Sequence, residues 1–250
     1  MDGVLDKIDM RVRLQNKIAI VTGAGGGLGR ALVRKLVAEG VICVLIERNI
    51  DLLEDLAEAL DKSRHYFFAC DFAENLAVVQ LAEQISVKFD RIDLLYNVAG
   101  IGIYKNLQDL SIQEWSNSLA INLTSPLILT KELIPLLRKS DNPFILNFGS
   151  GMGKIASAGR VAYCASKFGL RGMSLSLTRE LENIGVDVSL LTLGSVMTNF
   201  GTGGLSFRKD QQERGKRYLD PTEVIDKVIE ITISEKKKSE YILYPDGYTS

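Results

Sequence analysis

The sequence predicts an α/β fold, a doubly wound parallel sheet of about seven strands with helices on both faces. Three observations predict it. Short continuous apolar runs, which suit strands buried on both faces, alternate with segments of helical period. One such run near the start stops in a glycine turn, Thr22-Gly23-x-x-x-Gly27-x-Gly29, that opens directly into an amphipathic segment. The 250 residues, 46% of them hydrophobic, suffice for a single domain over 1–250 with a sizeable core.

The first strand is expected over Ile18 to Val21. Gly23, Gly27 and Gly29 remove side chains that would hold a bound pyrophosphate off the backbone, and the helix opening at Leu28 presents unpaired N–H groups and a partial positive charge. The spacing is not G-x-G-x-x-G, and no Gly-Lys-Ser/Thr follows as in a triphosphate loop, so the turn read alone could hold no ligand. Its place between first strand and first helix points to a dinucleotide. The helix runs from Leu28 to Glu39, and Gly40 stops it. Val41 to Ile46 is the second strand, ending in Glu47-Arg48-Asn49, where a dinucleotide-binding unit meets the adenine ribose. Glu47 can accept both ribose hydroxyls and repels a 2′-phosphate, which favours NAD; Arg48 could hold that phosphate, which leaves NADP as the alternative. Both side chains would also suit a solvated strand end.

Asp51-Leu-Leu-Glu54 has capping-box spacing ahead of Leu52, Leu53, Leu56 and Leu60. Tyr66 to Ala69 is the third strand, with Asp71 placed to meet the adenine amino group or to cap the helix that carries Leu76, Val79, Ala82, Ile85 and Phe89. Asp93 to Asn97 is the fourth strand, and the small residues of Val98-Ala99-Gly100 let backbone pass close to a flat ligand. Ser111-Ile-Gln-Glu114 is a second capping box, opening a long helix through Trp115, Leu119, Leu123 and Leu127 towards Arg138. Within it Pro126 has no N–H to give the Asn122 carbonyl, which leaves that oxygen for another donor such as an ordered water, or marks an ordinary kink.

Phe144 to Phe148 is the fifth strand, with Gly149-Ser150 at its exit, and a helix from Val161 to about Asn183 places Tyr163 and Lys167 one turn apart on one face. Val186 to Thr192 is the sixth strand. Asn199 to Leu219, with its glycines and charges, reads as a mobile substrate lid inserted near 197–219, or as a solvated helix. Asp220-Pro-Thr-Glu223 begins the last helix, and Tyr241 to Tyr244 is a final edge strand.

Bulk properties narrow the partners. Lys plus Arg number 30 against 31 Asp plus Glu, so no basic excess favours nucleic acid. Met1 to Gln15 interleaves charges with single apolar residues, unlike a signal peptide, and nothing later is expected to approach the length of a membrane span. Cys43, Cys70 and Cys164 read as reduced thiols of a cytoplasmic protein. His65 is the single histidine, which leaves neither a histidine triad nor a multi-histidine metal site.

Thr22-Gly-x-x-x-Gly-x-Gly29, Asp71, Asn97-Val-Ala-Gly100, Asn122, Ser150 and Tyr163-Cys-Ala-Ser-Lys167, in this order, resemble the motif series of the short-chain dehydrogenase/reductase family over nearly the whole chain. The resemblance implies a Rossmann-like fold and hydride transfer between a nicotinamide cofactor and a secondary alcohol or ketone. It implies Tyr163 as the acid/base, Ser150 as the partner of the substrate oxygen, and Asn122 linking Lys167 to solvent through water. A phenol with a reference pKa of about 10 needs help to ionise, and an ammonium about 4 Å away would favour phenolate by up to about 4 kcal/mol. Val196 and Thr198 match the positions that hold the carboxamide. The chain departs from the family at Val98, where asparagine is usual, and at Leu193-Gly194, where Pro-Gly is usual; the lost proline is expected to loosen that turn. Ile101, Ile103, Tyr104, Met152, Ile155, Met197 and Phe200 are expected to face the substrate, which would favour an uncharged, apolar small molecule. A homo-oligomer, dimer or tetramer, is also implied, built on the helices that begin near Ser111 and Val161.

Overall fold

The computed structural model describes residues 13–247. The reading of Met1 to Gln15 as lacking a leader rests mostly on residues outside that range. Seven strands, β1 (Ile18–Thr22), β2 (Ile42–Glu47), β3 (Tyr66–Ala69), β4 (Leu94–Asn97), β5 (Phe144–Ser150), β6 (Asp187–Leu193) and β7 (Glu240–Leu243), form one sheet in the order β3-β2-β1-β4-β5-β6-β7. Every pairing is parallel. The helices are α1 (Gly27–Ala38), α2 (Ile50–Ala59), α3 (Asn75–Lys88), α4 (Ile112–Leu119), α5 (Ser125–Leu137), α6 (Val161–Glu182), α7 (Gly204–Glu213) and α8 (Pro221–Ile233).

Parallel neighbours need crossovers, and these cover both faces of the sheet with apolar helix stripes. One core layer joins Leu32 and Leu36 of α1 and Val224 and Val228 of α8 to Val21 and Leu45. The other joins Leu81 and Ile85 of α3 and Leu129 and Leu133 of α5 to Ile20 and Ile46. Each such Leu or Ile withdrawn from water contributes about 1.5–3 kcal/mol, which is why alternate residues of one strand feed opposite layers. Strand order reverses between β1 and β4, so their carboxyl ends splay apart and leave a crevice.

Local chemistry sets the element ends. Gly40, at φ +81°, closes α1 in the left-handed conformation that the sequence anticipated. Ser111 and Glu114 form a reciprocal capping box, and Asp220 caps α8 with Pro221 at its first turn. The cap of α2 is different from the expectation: Asn49, not Asp51, accepts the Asp51 and Leu52 N–H groups, because its side chain already precedes the first helical residue.

The helix expected to run from Ser111 towards Arg138, with at most a kink at Pro126, is interrupted by a π turn at Ala120–Thr124. The Ser125 N–H reaches back to the Ala120 carbonyl, while the Ser125 hydroxyl lies 2.8 Å from that same oxygen and 2.7 Å from the Phe72 carbonyl. Pro126, following at once, supplies no N–H with which to restore the α-helical ladder at Asn122. The same stretch corrects a second expectation. Ile112–Leu137, 26 residues long with a mean hydropathy of 1.2 over its most apolar window, is long and apolar enough by composition to span a bilayer. Its apolar residues have a use in this fold: Leu129, Leu133, Leu136 and Leu137 are buried in the second core layer.

Candidate active site

The crevice at the β1/β4 switch point opens into a cleft of about 430 Å³ whose walls come from the exits of β1, β2, β4, β5 and β6, from α6, and from the 197–219 segment. At the β1 exit, Gly23 (φ +63°) lets the turn reverse, and a Cβ there would stand 2.9 Å from the Ala99 Cα. A Cβ on Gly27 would meet the Thr198 side chain at 2.9 Å, and one on Gly29 would fall 2.0 Å from the Gly23 carbonyl oxygen. The space these glycines leave is therefore filled by protein. They bring the turn, the β4 exit and Thr198 together around the start of α1, and Gly23, Gly27 and Gly29 themselves border the cleft, as expected. Gly26, the N-cap of α1, makes no side-chain cap bond, so the first-turn amides have no built-in acceptor of that kind and suit a pyrophosphate.

Thr22 and Asn97, expected among the cofactor-binding residues, do not border the cleft. The Thr22 hydroxyl accepts the N–H groups of Val98 (3.1 Å) and Ala99 (3.0 Å), fastening β1 to the β4 exit. Asn97 donates to Asn147 Oδ1 at 2.8 Å, and Asn147 donates in turn to Ser174 Oγ at 2.9 Å, a buried polar strut from β4 through β5 to α6. Leu28, Ala99, Gly100, Gly194, Val196 and Thr198 do border the cleft, as expected.

At the β2 exit the Glu47 carboxylate accepts three backbone N–H groups, from Gly25 (3.0 Å), Arg48 (2.8 Å) and Asn49 (3.2 Å). Gly25 was not anticipated as a partner. Arg48 and Asp71 stand 3.9 Å apart on the same rim. The turn after β6, expected to be loose without its proline, is held instead: the Gly194 N–H donates to the Leu243 carbonyl at 2.8 Å, and a Cβ on Gly194 would meet Pro245 at 2.6 Å. The two ends of the 197–219 segment are tied by Met197 N–H to Leu219 O (3.0 Å) and Leu219 N–H to Ser195 O (2.8 Å), and its middle is helix α7.

Ser150, Tyr163 and Lys167 meet at the floor of the cleft, Ser150 from the β5 exit and the other two from α6. Tyr163 is buried, its ring edge-on to Tyr104 at 5.5 Å and tilted against Phe200 at 6.0 Å. Lys167 is buried too, and its Nζ donates to the Phe148 carbonyl at 2.9 Å while standing 5.9 Å from the centre of the Tyr163 ring. The expectation that Lys167 makes the phenol acidic is not what this geometry gives. Burial, helped by Tyr104, pushes Tyr163 above the ordinary phenol value, while a hydrogen bond from Ser150 and the Arg160 charge pull it back in part. Burial also pushes Lys167 down to about 8.

This shift makes a prediction about stability. Lys167 has an ordinary value of 10.5 in the unfolded chain and about 8 in the fold, so between those values the unfolded chain holds more protons and this group's contribution to stability rises with pH. Lys167→Met should therefore stabilise the cofactor-free protein at pH 7 by on the order of 1–3 kcal/mol, the gain shrinking towards pH 10.5. Thermal melts of both proteins at pH 7 and pH 10 check it; a gain independent of pH would remove the buried ammonium as the cause.

Asn122 lies beside the cleft rather than on its wall. Its Oδ1 accepts the Ile101 N–H at 2.8 Å, and its Nδ2 donates to the Ile101 carbonyl and to Ser166 Oγ, both at 2.9 Å. It thus clamps the β4 exit to α6. Of the residues expected to face the substrate, Ile101, Tyr104, Met152 and Phe200 border the cleft, whereas Ile103, Ile155 and Met197 do not. Sequence reading missed Arg160, Asn199 and Arg208, which do. Arg160 precedes α6 and Arg208 lies on α7, and neither position carries a periodicity that would mark it.

The short chain dehydrogenase family matches residues 17–205. D-threitol dehydrogenase of Mycolicibacterium smegmatis is 34% identical over 78% of this chain and 75% of its own, and meso-2,3-butanediol dehydrogenase of Serratia marcescens is 28% identical over 77% and 76%. A metagenomic short-chain oxidoreductase solved in complex with NADP superposes with a TM-score of 0.76 at 28% identity, covering 93% of this chain and 99% of that one. With the glycine turn, the parallel sheet and the Ser150, Tyr163 and Lys167 cluster in place, the chain belongs to the short-chain dehydrogenase/reductase family and is an NAD(P)-dependent oxidoreductase.

Proposed function

We propose that the protein binds NAD(H) in preference to NADP(H) and interconverts a secondary alcohol and its ketone, with Tyr163 as the acid/base. The observation that carries the cofactor choice is Glu47, whose carboxylate is fixed at the β2 exit by three N–H groups. A fixed anion there accepts hydroxyl groups and opposes a 2′-phosphate, and the Arg48 charge that could offset it stands beside Asp71. Glu47, the α1 amides and the Gly194-to-Thr198 turn would hold the dinucleotide, with Asp71 at the adenine end. When bound, the nicotinamide supplies or accepts the hydride. Ser150 orients the substrate oxygen, and Tyr163 gives or takes its proton. Lys167 holds a positive charge beneath them, and Asn122, which clamps the β4 exit, leaves its carbonyl free of an α-helical donor for a water-borne relay.

Fluorescence titration should give NADH a dissociation constant about tenfold or more below that of NADPH, and Glu47→Ala should narrow the ratio towards one. NADPH binding tighter than NADH would reverse the assignment to the NADP-dependent alternative.

The same reading includes a homo-oligomer in the cytoplasm. Exposed Ile112, Leu127, Val161 and Phe168 on α4, α5 and α6 support the first part, and three free buried thiols, Cys43, Cys70 and Cys164, support the second. Light scattering on the eluting protein should give a dimer or tetramer mass; a monomer at micromolar concentration would count against the assembly.

A further inference from the structure

Charge divides the cleft into two halves. Around the β2 exit the wall carries Glu47 and Asp71, with Arg48 beside the latter. On the Tyr104 and Tyr163 side the charged side chains on the wall are Lys167 and two arginines, Arg160 and Arg208, and among the described residues neither arginine has a carboxylate within ion-pair distance.

Both guanidinium groups are held by contacts that do not neutralise them. Arg160 lies over the face of Tyr104 with its Cζ 4.7 Å from the ring centre, and Tyr104 in turn meets Tyr163 edge-on. Arg208 donates through Nη2 to the Phe200 carbonyl and lies 5.5 Å from the Tyr218 ring centre. Its Nε–H, buried from solvent, has no hydrogen-bond partner. A buried donor on a charged group, left unpaired, costs free energy that an incoming acceptor would recover. Both charges lie near enough to oppose the burial-driven rise of the Tyr104 phenol, and Arg160 acts likewise on Tyr163.

Taking the oxidoreductase reading above as its basis, we propose that the substrate carries a carboxylate, a hydroxy acid in one direction and the matching oxo acid in the other. Arg208 is the principal receiver of that carboxylate and Arg160 adds charge across the Tyr104 wall. The planar fork of a guanidinium matches a carboxylate edge, and Arg208 has its Nε–H still to give. The apolar residues Ile101, Met152 and Phe200 would then pack on the carbon chain between the two ends. The sequence-based expectation of an uncharged substrate arose from a set of residues that contained neither arginine.

The test uses the full-length protein with saturating NAD and, as probes, 2- and 3-hydroxybutanoate, the corresponding amides and neutral butanediol. The acids should exceed their amides in kcat/KM by roughly tenfold or more, and Arg208→Met should raise KM for the acids by about 10- to 100-fold, the range of one lost charge-assisted hydrogen bond, so that the preference falls towards one. Arg160→Gln, at a position outside α7, should reduce the same preference, and Arg208→Lys should restore part of it. The NADH dissociation constant is read alongside. Amides matching the acids in the unaltered protein, or equal losses for acids and amides in both variants, would overturn the proposal by making the arginines structural. A fall in NADH affinity with the acid preference intact would overturn it by assigning them to the cofactor. If the acids raise the melting temperature of the NADH complex through Arg208 but no probe is oxidised, the anion site stands and the redox reading fails.

Discussion

Tyr163→Phe should lower turnover by about 10² to 10⁴ while leaving NADH binding within a few-fold of normal. The expected size follows from what the hydroxyl alone can do. Phenylalanine keeps the ring, and with it the edge-on contact to Tyr104 and the packing on Phe200, so the wall of the cleft survives the change. What disappears is the proton donor or acceptor at the substrate oxygen. Burial keeps the phenol protonated through the neutral range, which suits it to give a proton when a ketone is reduced. Alcohol oxidation needs the phenolate, which the Ser150 hydrogen bond and the Arg160 charge favour only in part against burial, while Lys167 stands 5.9 Å from the ring centre with its Nζ committed to the Phe148 carbonyl. Reduction should accordingly be the easier direction to observe at pH 7. Steady-state rates in both directions, with NADH titrated by fluorescence, check the prediction; a Phe variant that turns over within tenfold of the unaltered enzyme would mean that another group handles the proton.

The parallel order of strands was legible because runs such as Val41 to Ile46 leave no room for an alternating, half-exposed strand, and the β1 turn was legible because glycines at its spacing have few other uses. Ser150, Tyr163 and Lys167 do converge. What could not be read is what depends on side chains meeting across elements. Thr22 and Asn97 sit at cofactor-like positions in the sequence, yet the bonds of Thr22 go to the β4 exit and those of Asn97 to Asn147, which no local pattern announces. Pro126 signals a missing hydrogen bond without showing that the chain takes it up as a π turn of 5 residues, Ala120–Thr124, around Asn122, braced by the Ser125 hydroxyl. Arg208 reaches the cleft only through the way the 197–219 segment folds back and Arg160 only through the entry into α6, and at α2 the Asp51 spacing masks Asn49, whose side chain caps the helix.

Gly29→Ala should be the most damaging small substitution in the β1 turn, and its cause is steric rather than conformational. In a helix interior alanine is ordinarily better than glycine by about 1 kcal/mol, so propensity alone forecasts a gain. Against that, the new Cβ would fall 2.0 Å from the Gly23 carbonyl oxygen and 3.0 Å from the Ala24 Cα, both backbone atoms that cannot rotate away. Gly23 has nowhere to retreat: its own φ is +63°, and a Cβ placed there would already stand 2.9 Å from the Ala99 Cα. The clash must push α1 off β1 or open the turn, a distortion of the kind that costs about 1–3 kcal/mol or more and so outweighs the propensity gain. With roughly 2–4 °C per kcal/mol for a chain of this size, a net loss of about 1–2 kcal/mol should lower the melting temperature by about 2–8 °C. The same displacement moves the first-turn amides of α1 that suit a pyrophosphate, so NADH affinity should drop by more than tenfold even in protein whose circular dichroism at 20 °C remains that of the native fold. Equal melting temperatures with unchanged NADH binding would show that the turn has slack, and would remove the close packing of Gly29 on Gly23 as the reason glycine stands there.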